Sequence, residues 1–192
     1  MKDIENIFKQ YKKALLNSLE SVDAGSLKKA ISLIYKAYKE DKQIFICGNG
    51  GSAATATHLA CDLGKGTAIK NKKRLKVISL SDNVSLLTAW SNDTDFKNCF
   101  KEQLVNLLEK GDVVIGISAS GNSENVLEAI RYAKAGGAKT IGLIGFGGGK
   151  LSRLVDIAVL INSDEYEVTE DIQLCLGHVI KRGFLEFIKK PN

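Results

Sequence analysis

The sequence predicts an α/β protein built on a doubly wound, five-stranded parallel sheet, and three observations lead there. Five short apolar runs recur along the 192 residues: Ile44–Cys47, Leu75–Leu80, Asp112–Ile117, Thr140–Ile144 and Ile157–Ile161. Stretches with helical apolar spacing separate them, so each connection is long enough for a parallel crossover. The runs are apolar almost throughout rather than alternating, which marks strands covered on both faces. A sheet of this flavodoxin-like kind takes its ligands in the crevice at the carboxyl ends of its strands.

The elements follow in order. Asp3–Val22 places Ile4, Ile7, Phe8, Tyr11, Leu15, Leu16 and Leu19 at helical spacing, one buried stripe on one helix. After the break at Asp23–Ser26, Leu27–Tyr38 repeats the pattern as a second helix. Two such stripes ahead of the first strand exceed what a small sheet can bury, so a helical partner, expected from another subunit, is implied. Strand Ile44–Cys47 breaks into Gly48-Asn49-Gly50-Gly51-Ser52, and a helix carrying His58 and Asp62 comes next. Beyond strand Leu75–Leu80, helices are expected at Ser85–Ala89 and Phe96–Glu109, then strand Asp112–Ile117 and helix Glu124–Ala135. Strand Thr140–Ile144, a short helix at Lys150–Val155, strand Ile157–Ile161 and a long helix from about Thr169 to Lys189 complete the chain. The single proline is Pro191, and no linker or low-complexity segment divides residues 1–192, so one domain is expected.

Composition narrows the function classes. Apolar residues make up 44% and charged residues 26%, as in ordinary globular proteins. No apolar run approaches the roughly 18 residues of a membrane span, and the N-terminal MKDIENIFKQYKK lacks the apolar stretch of a signal peptide. A cytoplasmic protein with no membrane partner is expected. Cys47, Cys61, Cys99 and Cys175 show no CxxC spacing and read as buried free thiols. The net charge of +5 is mild, and the basic run Lys70-Asn71-Lys72-Lys73-Arg74 has no interleaved aromatics, so it reads as a solvated loop, not a nucleic-acid surface.

Chemistry concentrates in two strand-to-helix turns and two helices. In Gly48–Ser52, glycines let the backbone approach an anion, and the first-turn N–H groups of the following helix have no intrahelical partners. Ser118-Ala119-Ser120-Gly121-Asn122-Ser123 repeats the setting after another strand. One serine at a helix start is usually a cap, but three with a glycine favour phosphate. Neither turn carries a Walker lysine or a full G-x-G-x-x-G, which disfavours nucleotide hydrolysis of that type and dinucleotide binding. His58 and Asp62, four apart, share one helix face. The other histidine, His178, lies on the last helix behind Glu170, Asp171 and Gln173. Two histidines with carboxylates from two helices are the inventory of a zinc-type site.

GNGGSAATATHLACDL, SLSDNVSLLTAWSND and ISASGNSENVLEA resemble the sugar isomerase (SIS) domain proteins, specifically the phosphoheptose isomerase group, over nearly the whole chain. The resemblance implies one zinc ion per site, held at His58, Asp62, Glu170 and His178. Asp62 stands where the group has glutamate, Glu170 where it has glutamine, and Gly66, beside Lys65, where it has arginine. Gln173 lies where such isomerases often carry a further histidine. The resemblance also implies a homotetramer with active sites at subunit interfaces, residues 1–40 serving in oligomerisation. Eight residues of straight helix span about 12 Å, too far for Glu170 and His178 of one chain to meet one ion. Either Glu170 precedes the regular helix, or the two reach the site from different subunits.

The implied reaction converts sedoheptulose 7-phosphate to D-glycero-D-manno-heptose 7-phosphate through an enediol, in bacterial heptose biosynthesis. Asp62 would be the base and His178 the acid. Gly50, Gly51, Ser52, Ser118, Ala119, Ser120 and Ser123 would surround the phosphate, with Asn49, Asp82 and Glu170 on the sugar. The competing readings are a sugar-phosphate sensor, a SIS protein that binds the replication initiator, or an isomerase of another sugar phosphate. The presence together of His58, Asp62, Glu170 and His178 weighs toward the enzyme.

Overall fold

The apolar runs become strands of one sheet, the three central ones buried almost throughout and the two edge ones only in part. In the computed structural model, which describes residues 3–189, the strands are β1 (Gln43–Cys47), β2 (Lys76–Ser79), β3 (Val113–Ser118), β4 (Lys139–Ile144) and β5 (Ile157–Leu160). All pairs are parallel and the order is β2-β1-β3-β4-β5. The helices are α1 (Ile4–Glu20), α2 (Ala24–Lys39), α3 (Gly51–Gly64), α4 (Val84–Asp93), α5 (Lys101–Leu107), α6 (Glu124–Ala135), α7 (Leu151–Leu154) and α8 (Tyr166–Lys189). Pro191 lies outside the described residues.

Two apolar layers sandwich the sheet. One joins α2, α3 and α8 to one face through Ile34, Ile46, Leu59, Ile115, Leu143 and Phe184. The other packs α5, α6 and α7 on the opposite face through Phe45, Phe100, Leu104, Val114, Ile130 and Leu151. The doubly wound expectation therefore holds. The chain reverses its direction of travel across the sheet between β1 and β3, and this switch point is where such sheets bind ligands. Cys47, the last residue of β1, is in register with Gly116, two residues short of the end of β3, so the turns that follow the two strands meet at one crevice.

The structure corrects three boundaries. Phe96–Glu109 is not one helix: a 3-10 turn at Phe96–Asn98 precedes α5. The Asp95 carboxylate accepts from the Lys97 N–H at 2.9 Å, and Cys99 and Phe100 both turn inward at the junction. The predicted helix Ser85–Ala89 runs longer, because Asn83 caps it by accepting from the Leu86 N–H at 3.0 Å. The last helix begins at Tyr166, so Glu170 lies inside it. The N-terminal pair divides, and the buried stripe expected on the first helix is not found within this chain, where Ser18 is the one buried residue of α1. α2 is buried through Leu27, Ala30, Ile31, Ile34 and Ala37, whereas α1 leaves Ile4, Ile7, Phe8, Leu16 and Leu19 exposed.

Candidate active site

The helices α3 and α8 run side by side in the same direction, and their matched pairs build the site. At the start of α3, Gly51 meets Glu170; a Cβ on residue 51 would fall on that carboxylate and force it to move aside. One residue on, the Ser52 hydroxyl donates to Gln173 Oε1 at 2.9 Å, while Gln173 Nε2 donates to the Leu143 carbonyl at 3.2 Å. Further along, Leu59 packs toward Gly177, His58 faces His178, and Asp62 meets Lys181. Sequence separations of 119 to 121 link these hydrogen-bonded pairs, so one register sets them all.

At the amino end of this pair lies a cleft of about 130 Å³, lined by Asn49, Ser52, Ser118, Ala119, Ser120, Ser123, Tyr166 and Glu170. The N-termini of α3, α6 and α8 all border it, so three sets of free N–H groups and dipole ends favour an anion there. Gly50, at φ +54°, turns β1 into α3 without a side-chain cap. Ser123 occupies the cap position of α6 yet makes no cap bond; its Oγ lies 3.1 Å from Ser118 Oγ instead. The ordinary capping role is therefore absent at the residue where it was most expected. At 130 Å³ the cleft is smaller than the roughly 300 Å³ of ordinary ligand pockets, a size for one end of a ligand and not for the whole of it. A groove of about 260 Å³, sharing Glu170 and lined by Gly51, Ala54, Thr55 and His58, continues from it.

The groove ends at a cluster of three donors. His58 Nε2 and His178 Nε2 are 3.0 Å apart, and each lies 3.7 Å from Asp62 Oδ2. That carboxylate oxygen is buried and has no hydrogen-bond partner among the described residues. Ligand atoms about 2.0–2.1 Å from one tetrahedral ion stand roughly 3.3 Å apart. Two imidazole nitrogens and an orphaned carboxylate oxygen at these separations fit a divalent cation of the zinc type.

Other predicted residues fall elsewhere. Glu170 does not join the cluster, since it sits two turns before His178 on the same helix. That removes the alternative in which it precedes regular helix. Asp82 does not line the phosphate cleft; it accepts a hydrogen bond from the Thr57 hydroxyl in a neighbouring groove. The Asn49 amide is paired reciprocally with Asn125, both bonds at 2.8 Å, so it fixes the turn as well as facing the cleft. Sequence reading missed Asn125 and Lys181. A signal for Lys181 was available, since it lies three residues from His178 on the same helix face. The cysteines divide: Cys47 and Cys99 are buried, Cys175 is half-buried and Cys61 is exposed, so the buried reading fails for Cys61. Lys70–Arg74 is exposed, as a solvated loop should be. None of the described helices is long and apolar enough to cross a membrane.

Known proteins match this arrangement. The SIS domain family profile matches residues 8–145. A phosphoheptose isomerase from a Nitratiruptor species is 45% identical over 145 residues, 76% of this chain and 77% of that protein. A phosphoheptose isomerase from Helicobacter pylori is 41% identical over 177 residues, 92% of this chain and 91% of its own length. The solved phosphoheptose isomerase from Neisseria gonorrhoeae superposes with a TM-score of 0.86 at 29% identity, covering 94% of this chain and 96% of that one. The chain therefore belongs to the SIS domain family, within its phosphoheptose isomerase group of phosphosugar isomerases.

Proposed function

We propose that the protein interconverts sedoheptulose 7-phosphate and D-glycero-D-manno-heptose 7-phosphate through an enediol, in bacterial heptose biosynthesis. One observation carries this reading: an anion cleft and a two-histidine, one-carboxylate cluster are joined by a groove along α3 and α8. From Gly51 to His58 is seven residues of helix, about 10 Å, a span suited to an open-chain sugar with its phosphate at one end and its carbonyl at the other.

Backbone N–H groups at Gly50–Ser52 and the hydroxyls of Ser118, Ser120 and Ser123 hold the phosphate, with Ala119 packed beneath. Ser52 donates inward to Gln173, so it offers the phosphate lone pairs only until its hydroxyl turns. Asn49 and Glu170 face the sugar hydroxyls, and Asp82 does so from the adjoining groove. His58, Asp62 and His178 would hold one zinc ion, with Glu170 of a neighbouring subunit completing the set, and that ion supplies polarisation of the carbonyl and hydroxyl oxygens. Asp62 removes a proton from C1 of the ketose through Oδ2. With Nε2 turned to the cluster, His178 delivers a proton from Nδ1 to O2 and takes the one on O1 back onto Nδ1. The proton held by Asp62 then returns to C2, which leaves the aldehyde at C1.

The exposed stripe of α1, from Ile4 to Leu19, supports a homotetramer in which residues 1–40 of a single SIS domain pack against another copy. The test is a coupled assay of zinc-loaded protein with sedoheptulose 7-phosphate, run beside Asp62→Asn and His178→Ala. Both changes should lower kcat by about 10²–10⁴-fold. Undiminished turnover in His178→Ala removes this acid/base scheme. Binding of the heptulose phosphate without turnover by the wild type favours a sensor or another ketose phosphate.

A further inference from the structure

Asp62 is held from one side only. Lys181 Nζ donates to its Oδ1 at 2.8 Å, with the two side chains 27% and 16% exposed, so the pair is largely withdrawn from water. Its Oδ2 is left without a hydrogen bond and faces the nitrogens of His58 and His178, each 3.7 Å away. An ion pair that served only the fold would gain by satisfying both oxygens, because a buried carboxylate oxygen with no partner is costly. Here one oxygen is secured and the other is kept free.

The lysine reaches Asp62 through a notch at Gly66. A Cβ on residue 66 would lie 2.6 Å from Lys181 Cε, 2.8 Å from its Nζ and 2.5 Å from the Asp62 carbonyl oxygen. A side chain there would crowd the end of the lysine where it meets the carboxylate, and the backbone oxygen of Asp62 leaves it no room to turn the other way. Gly66 follows the end of α3 and Lys181 is on α8, so the two are remote in sequence and serve one contact.

We propose that Lys181 is a positioning residue: it fixes Asp62 through Oδ1 so that Oδ2 alone faces the His58–His178 pair, and Gly66 is the opening that admits it. This rests on reading the three-donor cluster as a metal-holding reaction centre. Without the lysine the carboxylate is free to turn about its Cβ–Cγ bond and present either oxygen, or both, to the cluster. Partners that orient a ligand in this way are typically worth about 10–100-fold in metal affinity or activity.

The test compares the full-length wild type with Lys181→Met, Lys181→Arg and Gly66→Ala, each loaded with cobalt(II). The readouts are the visible absorption spectrum of the cobalt and steady-state turnover of sedoheptulose 7-phosphate. Lys181→Met should change the cobalt band and lower kcat tenfold or more, with KM within twofold. Gly66→Ala should change the band in the same way, and it keeps the test alive if the methionine variant does not fold. Lys181→Arg should keep the wild-type band and a kcat within threefold. A Lys181→Met protein with the wild-type band and kcat overturns the proposal. So does an arginine variant as impaired as the methionine one, which would assign the effect to packing of the lysine stem. A wild type that binds no cobalt overturns the metal reading and this proposal with it. One that binds cobalt without turning over the heptulose phosphate overturns only the substrate assignment, and the spectra of the variants still decide.

Discussion

The first turn of α3 and its later turns do different work by different means. At the first turn the groups that matter are backbone N–H groups and glycines, and the turns after β1 and β3 build them within a few residues of chain. In the later turns His58 and Asp62 matter only because α8 brings His178 and Lys181 alongside them. The cradle rests mainly on two strand-to-helix turns and is only bordered by the start of α8, whereas every part of the cluster depends on how α8 packs along α3. An anion site can therefore survive a shift between helices, but a cluster with 3.0 and 3.7 Å separations cannot.

The sharpest way to break that contrast is at Gly177, where α8 passes Leu59. A Cβ there would meet Leu59 Cδ1 at 3.5 Å, an ordinary contact. Gly177→Ala should fold at least as well as the wild type, since alanine is the better helix former by about 0.5–1 kcal/mol. Gly177→Leu should pry α8 from α3 and separate the histidines. A misplacement of about 1 Å at a reacting group can cost roughly 10²-fold, so kcat should fall by about that factor while KM moves little. An equal loss in the alanine variant, or a rise in KM in place of a fall in kcat, would show that cradle and cluster are not separable.

The next effect in size concerns stability rather than rate. Gln173 is fully buried and holds both the Ser52 hydroxyl and the Leu143 carbonyl. Gln173→Leu would leave both unpaired, at a cost of about 2 kcal/mol, or about 4–8 °C in Tm. An unchanged Tm would mean that Ser52 finds another acceptor, and the inward tie at the cradle would lose its significance. Gly51→Ala acts on the ligand instead. Its methyl group must displace the Glu170 carboxylate, and we expect about a tenfold rise in KM for the phosphosugar with kcat less affected. A larger fall in kcat than rise in KM would place Glu170 with the reacting atoms of its own chain.

The same division explains what the sequence made legible. Strands were readable because apolar runs bounded by turns need no tertiary information, and the order β2-β1-β3-β4-β5 is that of the flavodoxin-like sheet they imply. The Gly48–Ser52 and Ser118–Ser123 turns were readable for the same reason. His58, Asp62 and His178 could be named as residue types, but no spacing within the chain shows that α3 and α8 share a register. Lys181 could be placed on the helix face of His178, yet its role was hidden because it depends on an absence, the missing side chain at Gly66. Asp82 could be named as a residue type as well, but not the bond to Thr57 of α3 that sets it in a different groove from the cleft.

The smallest perturbation uses the cysteines. Cys47 closes β1 under the cradle; it is buried, and desolvation pushes its thiol up to about 12. Cys99, also buried, is raised by the same cause and has Asn125 Nδ2 at 3.5 Å from its sulfur. A raised thiol pKa keeps sulfur protonated and unreactive, because the thiolate is the nucleophile. Cys61 lies between His58 and Asp62 in sequence and is exposed. Iodoacetamide at pH 8, followed by peptide mass mapping, should therefore label Cys61 first, Cys175 more slowly, and Cys47 and Cys99 only after denaturation. Fast labelling of Cys47 would show that the floor of the cradle opens in the native state, contrary to its tight local construction. Protection of Cys61 to the level of Cys47 would have a different meaning: its face of α3 would be covered in solution, as a contact with another subunit would cover it.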